Sequence, residues 1–303
     1  MLRRRPRGVR GVRAVRVEAQ AKINLRLRIL ARETSGFHQL ETLFLRIALS
    51  DSVRVRRTDG VRSLDVTGVD ETTIGPVEQN LAWRAAAAYF DARGESGGFA
   101  IELVKRIPIG GGLGGGSADA GAVLRALDAT SPAPVGEAAL IQIAATLGSD
   151  VPFLASDRPY ALAWGRGERL LALRPPASRD LVLVQPPFGV NTADAYRWLA
   201  DSRANAAAAP DDAPLLESRR LGEWKTIRRI ATNDFEGVVA VRYPVIASTL
   251  ATLRRAGAPV ALLSGSGSTM FAVDVAASEV ESPGMRLVVT RTATRVEPVV
   301  SAE

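Results

Sequence analysis

Six of the seven residues from Gly110 to Gly116 are glycine, within the run Pro108-Ile109-Gly110-Gly111-Gly112-Leu113-Gly114-Gly115-Gly116-Ser117-Ala118-Asp119-Ala120. The run lies between a strand pattern at 99–105 and a helical pattern at 117–129. Glycine lets backbone approach a ligand and turn its N–H groups inward, and a helix that follows adds its positive N-terminal end. Such a loop is a phosphate cradle. A flexible linker is the plain alternative, but linkers are not bounded on both sides by strongly patterned elements. No Gly-Lys-Ser/Thr follows, so this is not a Walker loop, and Gly-x-Gly-x-x-Gly matches trivially in any glycine run. Ser117 either caps the helix, offers its hydroxyl to Mg²⁺, or does both.

The chain has 303 residues, enough for two domains with substantial cores. It contains no cysteine and one histidine, which excludes disulfides, thiolate metal sites and most histidine-built metal centres. The net charge of +7 would suit nucleic acid. However, Arg3, Arg4, Arg5, Arg7, Arg10, Arg13 and Arg16 all precede the first acidic residue, Glu18. Setting those seven aside leaves 32 basic residues against 32 acidic, so the body is neutral and no nucleic-acid partner is expected. No run of eighteen apolar residues occurs and the charged start lacks the apolar core of a secretory signal, so a cytoplasmic protein without a membrane partner is expected.

Residues 1–14 read as a disordered basic extension or a misplaced start. In 15–29, Ile23, Leu25, Leu27 and Ile29 alternate with Lys22, Asn24, Arg26 and Arg28, the pattern of a half-buried strand. Further strands are expected at 51–56, 99–105, 160–163, 181–184, 260–263, 270–273 and 287–290, and helices at 80–92, 117–129, 137–147, 192–200 and 244–256. This irregular mixture indicates α+β architecture. The segment 174–179 is a plausible domain junction, giving domains 15–174 and 175–303; 201–214 reads as a low-complexity loop and 274–284 as irregular.

Several side chains outside the loop can carry chemistry. Only Lys22, Lys105 and Lys225 are lysines, against 36 arginines. Lys22 and Asn24 share the non-apolar face of the first strand, so both can reach one site or both can simply be solvated. Lys105 either meets a nucleotide or faces solvent. His38 follows Phe37 in an expected loop, where an aromatic ring and an imidazole can hold a planar base, although a lone histidine often serves structure alone. Asp150, in Gly148-Ser149-Asp150-Val151-Pro152, either accepts a proton from a hydroxyl or caps the next turn. Leu263-Ser264-Gly265-Ser266-Gly267-Ser268-Thr269, a glycine/serine turn with several donors, is a hairpin turn or a second wall of a phosphate or substrate site.

Taken together and in order, these motifs resemble the GHMP kinase superfamily. The segments 21–25, 36–43, 108–117 and 147–152 carry the resemblance, which spans about 19–275; the Gly-aromatic-His segment points to the branch that acts on a cytidine diphosphate-linked methylerythritol. The resemblance implies a two-domain fold, an N-terminal nucleotide-binding domain plus a C-terminal ferredoxin-like domain. It implies transfer of the ATP γ-phosphoryl group to the substrate's 2-hydroxyl with Mg²⁺, in the non-mevalonate route to isoprenoid precursors, by a monomer or homodimer. Asp150 would be the base and Lys22 would steady the developing charge. Asn24, Phe37, His38, Thr192, Tyr196, Gly265, Ser266 and Gly267 would bind substrate. Asn80, Lys105, Pro108, the glycine loop with Leu113, and Ser117 would bind ATP, Ser117 also meeting the metal. Phe37 stands where the family commonly has tyrosine. A GHMP kinase for another small alcohol, of the mevalonate or homoserine type, is the alternative.

Overall fold

The alternation in the first strand pattern continues past both of its expected ends. β1 (Ala14–Arg32) pairs antiparallel along most of its length with β2 (His38–Thr58), and register shifts near Gln20, Asn24 and Ile29 bend the pair. In the computed structural model the described residues are 14–33, 38–70, 75–204, 216–280 and 283–302. Ala14, assigned above to the extension, is therefore the first residue of β1, while 1–13 lie outside the described residues.

The chain continues through β3 (Arg62–Thr67), α1 (Leu81–Arg93), β4 (Gly98–Val104), α2 (Gly115–Ala129), α3 (Glu137–Ala145), α4 (Val151–Ala155), β5 (Tyr160–Gly165) and β6 (Arg169–Ala172). There follow β7 (Asp180–Gln185), α5 (Thr192–Ala204), α6 (Trp224–Ile230), β8 (Thr232–Asn233), α7 (Phe235–Arg242), α8 (Pro244–Arg255), β9 (Ala261–Leu263), β10 (Met270–Val273), β11 (Arg286–Arg291) and β12 (Val300–Ala302).

Two sheets result. The first runs β12-β1-β2-β4-β3, with β5 and β6 continuing from β2 and β8 from β1; the second runs β11-β7-β10-β9. The segment 174–179 separates β6 from β7, yet β8 and β12 return to pair with β1. Two strands of the second sheet, β7 and β10, are buried on both faces: Leu181, Leu183, Phe271 and Val273 face the first core, Val182, Val184, Met270 and Ala272 the second. That is why these strands read as continuous apolar runs rather than alternating ones.

α1 shows local coding at its clearest. Ala82, Ala85, Ala86, Tyr89 and Phe90 form its buried stripe, the Asn80 side chain accepts a hydrogen bond from the Ala82 N–H at 2.9 Å, and Gly94, with φ of 61°, ends it. Of the expected loop at 201–214, residues 201–204 belong instead to α5, and 205–214 lie outside the described residues. Within 274–284, residues 277–279 form a 3-10 turn. No helix among the described residues is long and apolar enough to cross a membrane.

Candidate active site

The glycine loop reaches into a cavity of about 650 Å³ between the two sheets. Its carbonyls are tied backwards. Gly111 O accepts from the Thr269 N–H at 3.1 Å, Leu113 O from the Lys22 N–H at 3.0 Å, and Gly112 O from both Lys22 Nζ and Ser264 Oγ at 2.9 Å. With the carbonyls held from behind and the first N–H groups of α2 lacking intrahelical partners, the cavity side of the loop presents donors. Glycine is obligatory at Gly112: φ is +76°, and a Cβ there would lie 2.0 Å from the Ser264 carbonyl oxygen. The N-cap of α2 is Gly114 rather than Ser117, so Ser117 stands inside the first turn and lines the cavity. Capping is therefore not its role.

Lys22 is 2% exposed, which rules out the solvated reading. Its ammonium donates to Asn24 Oδ1 at 2.8 Å and to Gly112 O, and lies 3.2 Å from Asp150 Oδ2. Burying an ammonium costs several kcal/mol unless its protons are satisfied, and three partners satisfy this one. Asn24 in turn donates to Thr42 Oγ1 at 2.8 Å, and that hydroxyl donates to Arg26 O at 2.7 Å, which fixes the amide's orientation. Asp150 occupies the N-cap position of α4, but its side chain caps nothing and instead faces Lys22 and the cavity. Arg46 holds α4 from its other end, its guanidinium donating to Phe153, Leu154 and Ser156 carbonyls at 2.9–3.0 Å.

Lys105 is not a solvent-facing lysine either. Its ammonium pairs with Asp51 Oδ2 and with Asp119 Oδ2, the latter at 2.6 Å. Burial pulls the Lys105 pKa down, but the two carboxylates outweigh it and hold the group above its usual value. Burial pushes the Asp119 carboxyl up to about 8, opposed by Lys105 and reinforced by Asp51, and its buried Oδ1 has no hydrogen-bond partner.

At the far end of the cavity the His38 and Tyr196 rings stack, with centroids 4.5 Å apart and planes at 23°. His38 opens β2 rather than sitting in a loop. Burial, helped by the Asp150 charge, pushes the Tyr196 hydroxyl up to about 12, so it stays a neutral donor. Phe37 lies outside the described residues. Thr192 and Ser266 hydroxyls hydrogen-bond at 3.0 Å, joining α5 to the glycine/serine turn, and Asn233 donates to Leu263 and Gly265 carbonyls at 2.7 and 2.8 Å, fixing that turn.

Among the residues expected at the site, Lys22, Asn24, Asn80, Lys105, Pro108, the glycine loop with Leu113, Ser117, Asp150, Thr192, Tyr196, Gly265 and Ser266 line this one cavity. His38 reaches it through Tyr196, and Gly267 touches the loop from behind, where a Cβ on Gly112 would meet its oxygen at 3.0 Å. The sequence reading gave no role to Thr42, Asp51, Asp119, Ser264 or Asn233. Thr42, Asp119 and Ser264 stood inside the motifs, so a signal was present; Asp51 and Asn233 are joined to the site only by the fold.

Residues 80–158 match the GHMP kinases N terminal domain and residues 213–282 the GHMP kinases C terminal domain. The first sheet with its glycine loop and the second sheet above it thus define a GHMP-type kinase. A 4-diphosphocytidyl-2-C-methyl-D-erythritol kinase of Pelotomaculum thermopropionicum is 41% identical over 258 residues, covering 84% of this chain and 86% of that protein. A crystal structure of 4-(cytidine 5'-diphospho)-2C-methyl-D-erythritol kinase superposes with a TM-score of 0.72 at 35% identity, covering 91% of this chain and 98% of that one. The chain belongs to the 4-diphosphocytidyl-2-C-methyl-D-erythritol kinase family and is a kinase. Homoserine kinase from Cytophaga hutchinsonii superposes almost as well, with a TM-score of 0.71 at 20% identity over 98% of this chain and all of that one, so architecture alone does not select the alcohol.

Proposed function

We propose that this kinase transfers the γ-phosphoryl group of ATP to the 2-hydroxyl of 4-diphosphocytidyl-2-C-methyl-D-erythritol, a step toward isoprenoid precursors. One observation carries the reading: a single buried ammonium, that of Lys22, touches the glycine loop at Gly112 O and the exposed-side carboxylate of Asp150 within one cavity. Phosphoryl transfer needs positioning and charge neutralisation more than covalent help. The loop N–H groups hold the ATP phosphates. Asp150 accepts the hydroxyl proton, and Lys22 keeps that carboxylate oriented and offsets charge that grows on the reacting oxygens. Asn24, locked by Thr42, orients the alcohol. Tyr196 and His38 offer stacking surface and a ring nitrogen for a cytosine, and Phe37, next to His38 in sequence, is assigned to the same base by sequence alone. Asn80, Lys105 and Pro108 wall the nucleotide end of the cavity.

Among the described residues no three or more His, Asp or Glu side chains cluster as a metal cage. The Ser117 hydroxyl lines the cavity at the loop's helical end, a sparse donor set that fits Mg²⁺ carried chiefly by phosphate oxygens. Ser117 would hold the ion, which when bound supplies charge neutralisation on the transferred group.

The reading is tested by substrate dependence. Purified protein should bind ATP and consume it with the cytidyl substrate, whereas mevalonate or homoserine should not support turnover. Turnover with either of those alcohols instead would leave the kinase in place and remove the cytosine role of His38 and Tyr196.

A further inference from the structure

Asp51 belongs to none of the sequence motifs and does not line the cavity, yet it is wholly buried on β2 and makes the contacts that frame the glycine loop. Its Oδ1 accepts the backbone N–H groups of Arg106 and Ile107, at 2.5 and 2.7 Å, immediately before Pro108. Its Oδ2 pairs with Lys105 Nζ, and the same ammonium pairs with Asp119 Oδ2 on α2, just past the loop's exit. One lysine between two carboxylates thus joins the strand that enters the loop to the helix that leaves it. The ammonium also backs the loop itself, since a Cβ added at Gly115 would stand 3.5 Å from Lys105 Nζ.

Three buried ionisable groups are an expensive way to hold a strand against a helix. Desolvation costs several kcal/mol per ion before pairing, and an apolar cluster of similar volume would serve stability as well or better. Directed hydrogen bonds add what apolar packing does not, a fixed register and orientation of the backbone they hold. We propose that Asp51 is a positioning residue for phosphate binding, which through Lys105 and Asp119 clamps both ends of the glycine loop and so sets the concave arrangement of its N–H groups. The proposal rests on the loop's role as the ATP phosphate cradle. The clamp meets the chain at Arg106, Ile107 and beside Gly115, whereas Lys22 meets the loop at Gly112 O and reaches Asp150, so its loss falls on nucleotide binding and leaves proton transfer in place.

The test compares Asp51→Asn and Asp51→Ala with Glu102→Gln, which removes an exposed ion pair to Arg54 between the same two strands. ATP affinity by calorimetry and steady-state kinetics are measured at a temperature where near-UV circular dichroism shows each variant folded. Asparagine keeps an acceptor for the two N–H groups but loses the charge facing Lys105, whereas alanine loses both. Expected are rises in KM and Kd for ATP of about three-fold for Asp51→Asn and about ten-fold or more for Asp51→Ala, since small misplacements of binding groups are costly. kcat at saturating ATP and KM for the alcohol should stay within about two-fold of wild type, and Glu102→Gln should match wild type throughout. If Asp51→Ala does not fold, Asp51→Asn decides. Folded variants that bind ATP as wild type does, or a loss confined to kcat, would overturn the proposal. Failure of the wild type itself to bind ATP would overturn the cradle reading, and the clamp with it.

Discussion

Two lysines flank the glycine loop and meet carboxylates in opposite ways. Lys22 holds one aspartate, Asp150, whose side chain is 29% exposed and faces the cavity, and it spends its other protons on Asn24 and a loop carbonyl. Lys105 is enclosed by two carboxylates with side chains 0% and 3% exposed. The first arrangement leaves a partly exposed carboxylate able to meet a substrate hydroxyl; the second buries both carboxylates around one ammonium and serves geometry. The same pair of residue types therefore yields a reacting centre or a brace, according to whether the carboxylate keeps a face toward the cavity.

The comparison is broken most strongly at Lys22. Lys22→Met should lower kcat by about 10²- to 10³-fold while Tm changes modestly, because it removes charge aimed at the reacting oxygens; rapid-quench and steady-state rates check this. A kcat near wild type would make Lys22 a brace like Lys105. Next come the glycines. Gly112→Ala places a methyl group against the Ser264 carbonyl and should weaken ATP binding by about ten-fold or more. Gly110→Ala meets nothing within 4 Å and carries only left-handed strain, about 1 kcal/mol, so calorimetry should show the two variants well separated. Smaller still is Tyr196→Ala, expected to raise KM for the cytidyl substrate by about three- to ten-fold through lost stacking, with KM for ATP unchanged.

The subtlest expected effect is on stability. The folded chain holds Asp119 at about 8, above its ordinary value of 3.8, so between those values the native state binds a proton that the unfolded chain has lost. Stability from this group is complete below about pH 4 and declines as pH rises toward 8. Asp119→Asn removes that proton, and its Tm should fall less than wild type's between pH 5 and 8 in thermal unfolding.

The sequence made the local features readable. The glycine loop, the Asn80 cap, the alternation in β1 and the shared face of Lys22 and Asn24 all depend on residues close together in the chain, and each is present in the fold. Tertiary contacts decide the rest. Read locally, Asp150 is a turn cap and Lys22 a surface cation; only the approach of α4 to β1 makes them a pair. Asp51 and Lys105 are separated by 54 positions, and Ser264 reaches Gly112 across 152, so no spacing announces either contact. β8 and β12, of two and three residues, exist because β1 offers them an edge, and β3, whose short alternation rests on Leu64 and Val66 alone, and the mostly exposed four-residue β6 are too short and too little buried to stand out. His38 looked like loop because Ser35 and Gly36 precede it, yet the β1–β2 pairing draws it into β2 at its first residue.

The most direct test of the central claim is ATP consumption by the purified protein with 4-diphosphocytidyl-2-C-methyl-D-erythritol and Mg²⁺, run beside Asp150→Asn. Turnover by the wild type and a fall in kcat of about 10²- to 10⁴-fold in the variant, with ATP affinity retained, is the predicted result. Equal turnover by the two proteins would contradict the assignment of Asp150 as the base that the Lys22 pairing supports.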